Sequence, residues 1–246
     1  MKAGLRHWIA MVLVLVPIAA GAQARPAFTQ MELDSMLAPI ALYPDPLLAQ
    51  VLMASTYPRE VAEAARWTRA NPGLEGERAV RAAERVDWDA SVKVLTAFPQ
   101  VLAMMDEHMS WTEDLGDAFI AQQAQLMDTV QYLRGRAYGA GNLASNDAYR
   151  VEFDNANFSI SFASSDYAYV PYYNPTVVYG AWWWPTRPPV YWEPWPGYYT
   201  RPGYARGFAW GPAIVVTRTV FVGAPDWRRR CVTVFKDRKS TRLNSS

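Results

Sequence analysis

Apolar residues recur at helical spacing from Thr29 to about Gly141, and the punctuation between them marks separate helices. Thr29 with Glu32 three residues on is a capping-box pattern that opens a short first helix, and Pro39 closes it. Asp45-Pro46 predicts an N-cap followed by proline in the first turn, with Leu47, Leu48, Val51, Leu52 and Ser55 on one face. Tyr57-Pro58 opens a helix with Val61, Ala64, Ala65 and Thr68 inward, and Asn71-Pro72-Gly73 stops it. A shorter, solvated helix is predicted near Glu75 to Val86. Asp87-Trp88-Asp89 caps a segment carrying Val92, Leu95 and Phe98, and Pro99 begins the helix of Val101, Leu102 and Met105. Ser110 with Glu113 reads as a second capping box ahead of Leu115 and Phe119. The final helix runs from about Ala124 to Tyr138 and stops at Gly139-Ala140-Gly141. Tyr43-Pro44, Tyr57-Pro58 and Phe98-Pro99 all stand at helix starts, where the aromatic can staple the first turn and proline fixes φ. The expected product for residues 29–145 is a bundle of about six short helices with brief connections.

The period then changes. Val151 and Phe153, then Phe158, Ile160 and Phe162, alternate with polar residues around Asp154-Asn155-Ala156-Asn157, which predicts a β-hairpin. Within 146–180, Tyr167–Val170 and Thr176–Tyr179 are expected as short strands that close the domain, with Val170 to Gly180 folded back on the bundle. Between Tyr167 and Trp210 lie sixteen aromatic residues and eight prolines. That proline density excludes a continuous helix or central strand. Residues 181–235 are therefore expected as a Pro/aromatic extension, exposed from Trp182 to Trp210, with short strands at Ile214–Val222 and Val232–Phe235. The fold class is α+β: a small multi-helix bundle, an adjoining β-hairpin and a partly irregular, Pro/aromatic-rich C-terminal extension.

The two ends read differently. Lys2 and Arg6, the thirteen-residue run Trp8 to Ala20 and Ala22-Gln23-Ala24 form a secretory signal pattern over residues 1–24. The run falls short of the roughly 20 residues that span a bilayer, so no transmembrane helix is expected after cleavage. Without Lys2 and Arg6 the formal charge falls from +1 to −1, which gives no basic field for nucleic acid. A single cysteine, Cys231, makes no internal disulfide. Residues 236–246 break the preceding patterns; Lys239-Ser240-Thr241-Arg242-Leu243-Asn244-Ser245-Ser246 resembles a translated sequencing-adapter tail, so the native C-terminus is expected to lie elsewhere.

Several long stretches resemble one family. Leu37-Ala38-Pro39-Ile40-Ala41-Leu42-Tyr43-Pro44-Asp45-Pro46-Leu47-Leu48-Ala49-Gln50-Val51-Leu52 is similar to the opening signature of the domain-of-unknown-function 3300 family. Ala97-Phe98-Pro99-Gln100-Val101-Leu102-Ala103-Met104-Met105, then Trp111-Thr112 to Phe119, Ala140-Gly141-Asn142-Leu143 and Tyr172-Tyr173-Asn174-Pro175-Thr176-Val177-Val178-Tyr179-Gly180 follow in order. The resemblance covers about Leu33 to Trp184. It implies an exported protein of Gram-negative bacteria, periplasmic, outer-membrane-associated or extracellular, and supplies no catalytic residues.

Candidate chemistry is sparse. His108 is the single histidine left after signal cleavage, and its place late in a helix suits an interaction with the helix C-terminus better than a catalytic triad. Cys231 follows Arg228-Arg229-Arg230 but has no neighbouring Cys or His in sequence. No Cys or His pair suggests zinc, and no cofactor is expected. Asp34, Asp45 and Asp87-x-Asp89 read as helix caps, and Asp45, Asp114 and Asp117 are the acids considered for a glycosidase-type pair. The candidate binding residues are Trp182, Trp183, Trp184, Tyr191, Trp192, Trp195, Tyr198 and Tyr199, whose rings combine apolar faces with polar edges. The expected function is a non-enzymatic cell-envelope or surface protein that engages a partner through this extension: cell-wall glycan, another envelope protein or the outer-membrane surface. The rivals are a carbohydrate-active enzyme and a structural envelope protein that self-associates.

Overall fold

The computed structural model of the chain describes residues 27–235. The signal-peptide reading of residues 1–24 and the anomalous tail at 236–246 lie outside the described residues.

Eight helices, more than the six expected, precede the first strand among the described residues: α1 (Gln30–Leu37), α2 (Asp45–Ala54), α3 (Pro58–Ala70), α4 (Glu77–Ala83), α5 (Ala90–Leu95), α6 (Pro99–Glu107), α7 (Met109–Ala121) and α8 (Gln123–Gly139). Thr29 forms the capping box with Glu32. Tyr57 and Phe98 are N-caps with proline following. The second capping box does not form. Helix α7 starts at Met109 with His108 in the cap position, so Ser110 is already inside the first turn. Gly141, at φ +73°, lets the chain leave α8 in a left-handed conformation that disfavours a side chain.

Helix α2 is the hub, packed against α5 and α7 with Leu47, Leu48, Val51 and Leu52 fully buried. Gly116 lets α7 approach α2 closely, because a Cβ there would collide with the Ser55 carbonyl. The connection 38–44 between α1 and α2 is buried, which is unusual for a loop because its peptide groups lose water. Side chains from later in the chain replace that water. Leu42 N–H donates to the Tyr173 hydroxyl oxygen at 3.0 Å, and the Tyr179 hydroxyl donates to Ala38 O at 2.7 Å. Arg134 on α8, fully buried, donates to Ala41 O, Tyr43 O and Phe158 O at 2.9, 3.1 and 2.9 Å. The opening signature thus encodes a buried loop whose backbone partners lie about a hundred residues away.

The hairpin of β1 (Tyr149–Asp154) and β2 (Asn157–Phe162) pairs Tyr149 with Phe162 and Asp154 with Asn157. Its two turn residues, Asn155 and Ala156, both have positive φ, as a tight type I′ turn requires. Phe158, Ile160 and Phe162 face the core. Next come β3 (Tyr167–Ala168) and β4 (Pro171–Tyr173), then a helical turn α9 (Pro175–Val178), capped by Asn174, where a strand was expected. The Asn-Pro pair explains the turn: asparagine accepts from Thr176 N–H and proline occupies the first helical position.

The aromatic stretch departs from the expectation of exposure. Strands β5 (Phe208–Trp210) and β6 (Ile214–Val215) return antiparallel to β4 and β3, so residues 174–207 form a closed excursion anchored at both ends. Phe208 and Trp210 are buried, while Trp182, Trp183, Trp184, Trp192, Trp195 and Tyr198 are half-buried against the helices. Proline prevents a long ladder but does not prevent wrapping: isolated rings and indole N–H groups supply the anchors instead. The strand expected over Ile214–Val222 is only β6, followed by a 3₁₀ turn at Arg218–Val220. A last hairpin joins β7 (Gly223–Asp226) to β8 (Cys231–Val234), with β7 packed on α2. The chain is α+β, with the Pro/aromatic-rich segment laid over the bundle as a strap.

Candidate functional site

The strap is fixed first on α1. Trp183 and Trp184 are adjacent, yet both indole N–H groups donate to one oxygen, Asp34 Oδ2, each at 2.7 Å. Gln30, one turn earlier on α1, donates its amide to Asp34 Oδ1 at 2.7 Å and to Thr129 Oγ1 at 2.8 Å. Asp34 is therefore a buried carboxylate held by three neutral N–H donors. It is not the helix cap that its sequence position suggests. The strap continues along the same helix: Ser35 Oγ donates to Pro188 O at 2.7 Å and Val190 N–H donates to Ser35 O at 3.0 Å.

Between strap and helices lies a groove of about 440 Å³ lined by Gln30, Asp34, Asp128, Thr129, Tyr132, Trp183 and Trp184. Trp183 is crowded by its neighbours. Trp182 packs on it at a tilt with centroids 4.3 Å apart, the Arg136 guanidinium lies 4.3 Å from its centroid, and Tyr132 meets it edge-on at 5.3 Å. Asp128 is paired with Arg230 at 2.9 Å.

The other candidate residues fall elsewhere. Trp192 stacks on His108 at 5.2 Å and packs edge-on to Trp111 at 4.8 Å, so the histidine lies under an indole. The Tyr172 hydroxyl donates to Trp192 O, and its ring meets Tyr191 and Trp195, which in turn packs on Tyr198. Burial, followed by contact with Tyr191, pushes the Tyr172 phenol far above its ordinary range. Tyr199 exchanges backbone hydrogen bonds with Trp210, and its exposed ring lies beside Arg201, whose guanidinium also lies over Tyr169 and Tyr204. The eight predicted residues thus divide among three places: Trp182 to Trp184 by α1, Tyr191 to Tyr198 around Tyr172, and Tyr199 beside Arg201.

The sequence reading missed Arg134. Its Nη1 lies 2.7 Å from Asp45 Oδ1, a close ion pair whose N–H is not aligned as a hydrogen bond, while Trp227 donates to Asp45 Oδ2 at 3.0 Å. The guanidinium also sits 4.7 Å from the Trp227 ring centroid. The available signal was Arg134 standing in the inward stripe Met127, Val130, Ala137, a position that demands buried acceptors. Asp45 is occupied by these two partners within the fold. No group of three His, Cys, Asp or Glu side chains able to hold a metal ion occurs among the described residues.

The family model described as "Protein of unknown function (DUF3300)" matches residues 29–246. The chain belongs to the DUF3300 family. It is also 39% identical, over 246 aligned positions, to the "Uncharacterized protein YacH" of Escherichia coli (strain K12); the alignment covers 87% of this chain. The chain spans 40% of that relative's length. No solved structure matches it. The family match extends through the strap and the last hairpin, so the DUF3300 region includes the Asp34 and Asp45 anchors and the indoles that reach them. No described helix is long and apolar enough to cross a membrane.

Proposed function

We propose that this DUF3300 chain is an exported, non-enzymatic protein of the cell envelope that holds cell-wall glycan through its aromatic strap. The observation behind this reading is the double indole anchor on Asp34, which fixes two tryptophans beside a polar-rimmed groove before any partner arrives. Aromatic side chains with few torsions, held by hydrogen bonds, lose little freedom on binding. Carbohydrate suits them because a sugar offers C–H faces to a ring and hydroxyls to the rim. Export is supported by the signal pattern over residues 1–24.

Truncating the chain near Gly180 is a poor test, because it would remove Trp210 and Trp227 from the fold. Co-sedimentation of the whole mature protein with purified peptidoglycan sacculi, against a protein-free and a bovine albumin control, is the direct measurement. Saturable pelleting supports the reading, and recovery in the soluble fraction at every sacculus concentration ends it. Release of sugar or muropeptide during the same incubation would point to the enzymatic rival. Growth in size with concentration in light scattering, without sacculus binding, would point to self-association.

A further inference from the structure

The glycan-binding reading leaves open which ring meets the sugar and which sugars fit. We propose that the groove between α1, α8 and the strap takes a neutral pyranose, stacked on Trp184 and hydrogen-bonded at the rim by the Asp128 carboxylate and the Gln30 carbonyl oxygen; this rests on that reading.

Trp183 is not the stacking ring. Trp182 and Arg136 each lie 4.3 Å from its centroid and Tyr132 closes on it edge-first, so its π-surface is already used. Trp184 lines the same groove, and among the described residues no ring or guanidinium stacks on it. Its N–H is committed to Asp34, which fixes the plane of the ring while leaving a face for a ligand. An indole held this way suits the C–H face of a pyranose. The groove volume, about 440 Å³, lies in the range of small-ligand clefts.

Charge selects among ligands of that size. The lining contains two carboxylates, Asp34 and Asp128, and no basic side chain. Phosphates, uronates and anionic lipid headgroups would meet the Asp34 charge, which its neutral N–H donors leave uncompensated, in a partly desolvated cleft. A cation gains little either. The Asp34 carboxylate is engaged by three N–H donors, and Asp128 is paired with Arg230. What remains is hydrogen bonding at the rim: the second Asp128 oxygen and the free lone pair of Gln30 Oε1 can accept from the hydroxyls of a neutral sugar, while the Gln30 amide hydrogens and the Thr129 hydroxyl are already used within the fold.

The test is tryptophan-fluorescence titration of the mature protein with chitotetraose and, separately, with tetragalacturonic acid. Saturable binding of chitotetraose is expected, with the uronate at least about tenfold weaker. Trp184→Ala should weaken chitotetraose binding about tenfold or more, while Trp184→Phe, which keeps a ring but loses the N–H that orients it, should weaken it less than Trp184→Ala does. Asp128→Ala, at a half-exposed site, should weaken binding with its thermal midpoint unchanged, so a loss there cannot be ascribed to misfolding. Tyr199→Ala should leave binding intact. Equal binding by wild type, Trp184→Ala and Asp128→Ala, preference for the uronate, or no saturable binding of chitotetraose would overturn the proposal. Sacculus pelleting separates the two readings. If Trp184→Ala pellets as well as wild type and chitotetraose does not bind, the groove is wrong and the envelope-glycan reading stands; if neither protein pellets, both fail.

Discussion

Trp184 donates its indole N–H to Asp34 across 150 positions of sequence, and Trp183 shares the same carboxylate oxygen. A helix near the start of the described chain and a proline-rich strap near its end therefore meet at one buried acid. Replacing Asp34 by Ala strands two indole donors and the Gln30 amide. Hydrogen bonds to a charged group contribute more than neutral ones, so Asp34→Ala should lower unfolding free energy by about 2–4 kcal/mol. Urea denaturation measures this, and a red shift of tryptophan emission should accompany it as the strap loosens. Unchanged stability and emission would show that the strap is held by ring packing alone.

Arg134 is the second anchor. Removing its guanidinium leaves Asp45 without its cation and strips the carbonyls of Ala41, Tyr43 and Phe158 of donors. Breaking one side of a buried charge pair typically costs about 3–5 kcal/mol, so Arg134→Met should be severely destabilised. Arg134→Lys should not restore it, because one ammonium cannot reproduce the guanidinium fork. Thermal unfolding of the two variants decides the matter: a lysine variant as stable as wild type would mean that charge alone is needed.

At Gly116 the prediction concerns shape. A methyl group there meets the Ser55 carbonyl, which belongs to backbone that cannot swing aside. Although alanine favours helix intrinsically, Gly116→Ala should destabilise by about 1–3 kcal/mol as α7 is pushed from α2. A stability gain in chemical denaturation would show that the two helices have room to separate.

Alkaline titration probes the buried loop. The phenols of Tyr43, Tyr173 and Tyr179 are pushed above the ordinary value, chiefly by burial. A raised folded-state pKa means that the folded chain holds those protons more tightly than the unfolded one. The resulting stability is complete below about pH 10, where unfolded phenols are protonated, and falls as pH rises beyond it. Absorbance at 295 nm should show these rings ionising together with loss of near-ultraviolet circular dichroism. Ionisation near pH 10 with the tertiary signal intact would contradict their burial.

The helical body was legible because its cues are local. A capping box at Thr29, proline after Tyr57 and Phe98, and a glycine stop after α8 act within a few residues of where they are written. The hairpin was legible for the same reason, since alternation and the Asp154–Asn157 turn lie side by side. Asp34 and Asp45 misled because their local context suits a cap equally well. Their indole partners stand 149 to 182 positions away, beyond any periodicity. The strap misled differently. Its prolines correctly excluded regular structure, but composition does not reveal whether irregular backbone finds anchors. The clue lay in the helices, where acid and arginine residues stood on faces that had to be buried.

The long reach of Asp34 and Asp45 also sets an order of events. The ribosome delivers the chain amino end first, so these two carboxylates emerge long before Trp183, Trp184 and Trp227 exist to receive them. Until then Asp34 has only Gln30 and Asp45 only Arg134 of the partners described above. The contacts that finish the fold are therefore also the last to become available, and a chain ending before Trp227 lacks the indole that Asp45 holds.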